Sequence, residues 1–94
     1  MKRDYPSIEI NLNKIRHNAE EMIKVCSEEK IEVAAVTKLF CADLEISKEI
    51  LDAGVKVLAD SRIDNLRKFD ELNCKRMLLR IPMKSELESV IRYV

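Results

Sequence analysis

Short apolar runs alternate along this chain with stretches whose apolar residues recur at helical spacing. Four runs read as strands: Ser7–Leu12, Glu32–Lys38, Val55–Asp60 and Arg76–Ile81. Ile, Val, Ala and Leu dominate them, and they fit strand length better than helix length. The intervening stretches read as helices. Asn13 is placed as the N-cap of the first, whose apolar positions are Ile15, Ala19, Met22, Ile23 and Cys26. Asp43 caps the second, with Ile46, Ile50 and Leu51 on its apolar face and Gly54 as its C-terminal stop. Ser61 with Asp64 reads as a capping box ahead of Ile63, Leu66 and Phe69, and Ser85 with Glu88 as another ahead of Leu87, Val90, Ile91 and Val94.

The order β-α-β-α-β-α-β-α implies parallel strands joined by right-handed crossovers. No linker or low-complexity stretch divides residues 1–94, which read as one domain. Four strands are about half of what a closed (β/α) barrel requires, and such a barrel normally takes 200 residues or more. Two readings stay open on these grounds: an incomplete barrel, or a small open α/β sheet complete at this size. A half-barrel leaves open strand edges and an uncovered apolar face, so self-association is expected.

Composition narrows the function. Seventeen basic residues balance 17 acidic ones, with 47% hydrophobic and 36% charged residues, which suits a globular chain and removes the electrostatic case for nucleic acid. The longest apolar run, Val33–Val36, is far too short to cross a bilayer, and the charged opening Met-Lys-Arg-Asp-Tyr-Pro has no apolar segment behind it. A cytoplasmic protein without membrane partners is expected. The single glycine, Gly54, excludes glycine-rich phosphate loops. Cys26, Cys41 and Cys74 are too scattered for a zinc site, and their odd number argues against a disulfide framework, so no metal is expected.

In parallel α/β folds, chemistry gathers at the carboxyl ends of strands, here Asn11, Lys38, Asp60, Ser61, Arg62 and Arg80. Alternation puts Ala34, Val36 and Lys38 on one face of their strand. A lysine among small apolar neighbours is partly desolvated, and a neutral amine can attack a carbonyl; a solvated lysine at a strand end is the plainer alternative. Arg80 stands between Leu79 and Ile81 and needs an anion, either a ligand or a carboxylate such as Asp60. Ser61 and Arg62 sit where a helix start attracts anions, although Ser61 also reads as a simple cap. His17 falls off the apolar stripe of its helix and reads as a surface residue. Cys41 lies in the loop after Lys38 and is weak evidence for a ligand.

Several segments together resemble a known family. Ile8-Glu9-Ile10-Asn11-Leu12-Asn13-Lys14-Ile15-Arg16-His17-Asn18 is similar to the opening of alanine racemase-type proteins. Val33-Ala34-Ala35-Val36-Thr37-Lys38 resembles the strand whose terminal lysine holds pyridoxal 5′-phosphate (PLP) in that family. Thr37–Asp43, Leu58–Leu66 and Met77–Met83 resemble more closely the branch containing ornithine racemases and related amino-acid racemases. The resemblance runs from Tyr5 to Val94. It departs from alanine racemases after the lysine, where Leu39-Phe40-Cys41-Ala42-Asp43 replaces a segment containing tyrosine and glycine.

The resemblance implies the first part of a PLP-binding barrel that racemises an amino acid, ornithine preferred and alanine possible. Lys38 would carry the cofactor as a Schiff base and act as one base at the α-carbon; Arg62 and Arg80 would contribute to holding the cofactor. The opposite-face base and most phosphate ligands would come from later strands, beyond Val94, so the 94 residues alone are expected to be inactive. The same barrel also serves non-catalytic PLP-homeostasis proteins, although their usual Gly-Glu-Asn after the third strand is replaced here by Ala59-Asp60-Ser61. A cofactor-free fragment that folds by self-association is the third reading. Decarboxylases share the barrel too, but the opening segment fits racemases better.

Overall fold

The computed structural model describes residues 6–94. Met1–Tyr5, with most of the charged opening and the first residue of the family resemblance, lie outside the described residues. The elements are α1 (Leu12–Glu28), β1 (Ala34–Val36), α2 (Leu44–Asp52), β2 (Val57–Asp60), α3 (Ile63–Arg67), β3 (Lys75–Leu78) and α4 (Leu87–Tyr93), with single 3₁₀ turns at Lys38–Phe40 and Lys84–Glu86. The three strands form one parallel sheet in the order β1-β2-β3. The α/β alternation and parallel pairing expected from the sequence are therefore present.

The expected strand Ser7–Leu12 is not formed. Residues 7–11 are irregular and exposed, and Leu12 already belongs to α1. The segment has the side chains of a strand, but it joins no ladder of the sheet formed by the described residues, and a strand without a ladder is not stable in water. The N-cap moves accordingly from Asn13 to Asn11, whose Oδ1 accepts from the Lys14 amide at 3.1 Å. Asn11 is thus a helix cap, not a strand-end site residue.

One face of the sheet is covered and the other open. The register pairs Ala35 with Leu58 and Leu58 with Arg76 on one side, and Val36 with Ala59 and Ala59 with Met77 on the other. Leu58 packs with Ala42, Ile46, Ile50, Val55, Leu66 and Phe69, and α1 adds Leu12, Ile15 and Ile23 to the edge of this core. Met22, expected on that apolar face, is instead 57% exposed. On the opposite side Val36 and Met77 are each 45% exposed. Here the two outer strands present apolar side chains to solvent, while Val57 and Ala59 between them are shielded by their neighbours.

Helix α2 obeys its sequence signals. Asp43 Oδ1 accepts from the Ile46 amide at 3.1 Å, and Gly54, at φ 115°, ends the helix in a conformation other residues rarely adopt. The two expected serine capping boxes do not form. Arg62 occupies the N-cap position of α3 without a side-chain bond, and the first turn is tied instead by Asp60. Before α4, Glu86 accepts from the Met83 amide at 3.2 Å, a pairing two residues ahead of the expected Ser85–Glu88 one.

Candidate functional site

Lys38 leaves the sheet two residues after β1 ends, at the start of a tight loop. Its neighbour Thr37 is fully buried, whereas Lys38 is exposed. Period-two alternation carries Thr37, after Ala35, onto the covered face; at Thr37 the backbone then leaves the extended conformation (φ −104°, ψ −2°), and Lys38 opens the 3₁₀ turn with its side chain exposed. The desolvation expected from small apolar neighbours is not supplied, because Lys38 is exposed. Lys38 has no hydrogen bond or ion pair through its side chain among the described residues.

The loop that presents Lys38 is pinned at both ends. The Thr37 amide donates to the Ala59 carbonyl at 2.9 Å, and the Ala42 amide donates back to the Thr37 carbonyl at 3.0 Å. Ala42, like Thr37, is fully buried. Between them the chain reverses through left-handed backbone at Cys41 (φ 52°) and Ala42 (φ 57°). Non-glycine residues in that region cost about 1–3 kcal/mol each and persist only where the surroundings enforce them. Part of that enforcement is Lys68, whose Nζ donates to the Cys41 carbonyl at 3.0 Å. Cys41 itself is exposed.

Asp60 ends β2 and is fully buried. It was expected at the mouth of the site; the register instead turns it onto the covered face. Its Oδ2 accepts from Thr37 Oγ1 at 2.7 Å and from Asn65 Nδ2 at 3.1 Å, and its Oδ1 accepts from the Arg62 amide at 2.9 Å. Thr37 Oγ1 also lies 3.2 Å from the Ala59 carbonyl oxygen. The sequence reading missed Thr37 and Asn65. A signal for Thr37 existed: if Lys38 faces outward, the residue before it faces the core, where a hydroxyl needs a partner.

Arg80 finds an anion, but not Asp60. Its guanidinium forks onto Glu86, Nη1 to Oε1 at 3.2 Å and Nη2 to Oε2 at 2.6 Å, while Nε donates to the Ser61 carbonyl at 2.7 Å. Glu86 hydrogen bonding raises the Arg80 guanidinium above its ordinary value, and the Arg80 bond, aided by the Met83 amide, lowers the Glu86 carboxyl. Arg62 and Arg80 share one cleft of about 280 Å³ with Arg67, Ser85, Glu86 and Ser89. Lys38 is not among its lining residues. The Arg62 guanidinium has no partner among the described residues, whereas Arg67 meets Asp64 at 3.4 Å and lies 5.1 Å from the centre of the Tyr93 ring. His17 is exposed on α1, as expected. Among the described residues no group of His, Cys, Asp and Glu is arranged to hold a metal ion, and no helix is long and apolar enough to cross a membrane.

No protein-family model and no solved structure matches the chain. Two curated proteins do. An ornithine racemase of Acetoanaerobium sticklandii is 45% identical over 89 residues, covering 95% of this chain and 25% of that protein. A lysine racemase of Thermotoga maritima is 34% identical over 91 residues, covering 95% of this chain and 26% of that protein. The chain therefore spans about a quarter of the length of the curated relatives it matches. Over nearly its whole length, this chain is homologous to part of two amino-acid racemases, one of ornithine and one of lysine.

Proposed function

We propose that these residues are part of a PLP-dependent amino-acid racemase of the ornithine type, in which Lys38 holds the cofactor and serves as one base. The observation that carries this reading is the placement of Lys38. It is an exposed amine with no side-chain partner among the described residues, displayed just beyond the carboxyl end of β1 by a loop with two buried anchors. Homology to ornithine and lysine racemases supports the substrate class. Both named substrates are α-amino acids with a second, terminal amine.

The residues present fit PLP. Lys38 offers an amine free to react with an aldehyde, and Arg62 a guanidinium with no partner among the described residues, in a cleft that Lys38 does not line. Arg80 fits less well than expected, since Glu86 and the Ser61 carbonyl already occupy its donors. PLP, when bound, supplies the electron sink that makes the α-proton of an amino acid removable. The chain's own contribution is position: Lys38 Nζ takes or returns a proton on one face of the α-carbon. A racemase also needs an acid–base group on the opposite face, which further sequence would supply. In the complete enzyme the open face of the sheet becomes the inside of a (β/α) barrel, closed by further strands or by a second copy. The three free cysteines agree with a reducing, cytoplasmic setting.

The test is chemical. The chain is mixed with PLP, reduced with borohydride and digested, and the modified peptide is mapped. Selective labelling at Lys38, lost in Lys38→Arg, is expected, because a guanidinium stays protonated and cannot condense with the aldehyde. Labelling spread evenly over the other lysines overturns the assignment. With L-ornithine added, the 94 residues alone are expected to form the D-isomer no faster than free PLP does.

A further inference from the structure

We propose that Asp60 is a positioning residue for Lys38, a role that rests on the reading of Lys38 as the cofactor-holding lysine. Asp60 touches no ligand site itself. Its buried carboxyl group joins two segments that carry the exposed functional groups. One oxygen receives the hydroxyl of Thr37, the residue immediately before Lys38; the other receives the amide of Arg62 itself. Asn65, one turn into α3, donates to the same oxygen as Thr37 and closes the clasp.

The clasp is needed because neither segment can hold itself. Strand β1 has three residues and α3 has five. Helices that short are not stable alone. Arg62 and the residues after it have no serine cap to fix their first turn, since Arg62 is at the N-cap position and makes no side-chain bond there. The Lys38 loop contains left-handed backbone at two non-glycine residues, which relaxes unless its base is fixed. Thr37 provides that base through its amide, its carbonyl and its hydroxyl; the amide and, at 3.2 Å, the hydroxyl meet the Ala59 carbonyl, and only the hydroxyl's 2.7 Å bond to Asp60 leads on to α3. Loosening the hydroxyl should therefore be felt at both segments. An aspartate at this position with apolar neighbours would gain nothing from burial unless its oxygens were satisfied, and all three donors that reach it come from these two segments.

Three variants of the 94-residue chain decide the matter: Thr37→Val, which keeps the shape and removes the hydroxyl; Thr37→Ser, which keeps the hydroxyl; and Asp60→Asn, which turns one acceptor into a donor. Amide hydrogen exchange is read separately at Leu39–Cys41 and at Arg62–Asn65, alongside the selectivity of borohydride-trapped PLP for Lys38. Thr37→Val is expected to raise exchange on the order of tenfold in both segments, including the one that contains no mutation. Selectivity for Lys38 should fall with it, and Thr37→Ser should restore both. Asp60→Asn, if it folds, should match Thr37→Val. Exchange that rises only beside the mutated residue, or a Thr37→Ser chain as loose as Thr37→Val, overturns the clasp. Absence of selective trapping in the unmutated chain counts against Lys38 as the cofactor lysine. The two-segment exchange result then still stands or falls by itself.

Discussion

Arg80 and Glu86 meet as a two-pronged pair, six residues apart, with the shorter contact 2.6 Å between Nη2 and Oε2. The pair ties the end of β3 to the turn that starts α4, and the Arg80 Nε bond to the Ser61 carbonyl brings in the segment after β2. An arginine expected to hold a cofactor is thus committed to holding three chain segments together.

That pairing sets a pH dependence. Glu86 has its folded-state value lowered, so its contribution is present above the ordinary value of 4.5 and lost as pH falls through the lower one. Arg80 is raised above its ordinary value by its bond to Glu86, so its side of the pair is lost only in strong alkali. Thermal unfolding should accordingly be flat through neutral pH, with a loss on the acid side that sets in as pH falls below the ordinary carboxyl value of 4.5. Glu86→Gln should make that acid loss shallower. An acid profile identical in the two chains contradicts the role given to the pair.

Lys38→Ala is expected to leave the fold intact. The side chain is exposed and has no partner among the described residues, and such substitutions change stability by no more than about 0.5 kcal/mol. Urea unfolding followed by circular dichroism checks this, and the same variant should lose selective reduction by borohydride in the presence of PLP. A large loss of stability would mean that Lys38 is structural.

The cysteines should react in a defined order. Cys41 is exposed, whereas burial raises the Cys74 thiol, an effect that the nearby Arg76 only partly offsets. A raised thiol has less of the reactive thiolate at neutral pH. Timed alkylation with iodoacetamide, read by mass spectrometry, should label Cys41 well before Cys74. The reverse order would show that the Cys41 loop is more closed than described.

The open face should drive association. Val36 and Met77 lie on it, each 45% exposed, and both outer strands have an unpaired edge. Light scattering at rising concentration should detect oligomers, and Met77→Lys should shift the distribution toward monomer. A monodisperse monomer at millimolar concentration in the unmutated chain argues that the face is covered.

The sequence by itself determined the alternation of elements and, through it, the parallel sheet, because both rest on local periodicity. The apolar spacing of Ile46 and Ile50, the run Val57–Ala59 and the stop at Gly54 need no distant partner to be read. It also put Lys38 at the carboxyl end of its strand; the structure ends β1 two residues earlier and carries Lys38 on the turn that follows. Tertiary structure decided what depended on a neighbour. Ser7–Leu12 has a strand's composition, but among the described residues no strand of the sheet lies beside it, so it forms no ladder. Asp60 and Arg80 both read as residues at the mouth of a site. The register turned Asp60 inward to Thr37 and Asn65, and the return of the chain at Lys84–Glu86 brought Glu86 to Arg80 before any ligand could. Polar groups pair with whatever donor or acceptor the fold brings within about 3 Å, and that choice is made in space.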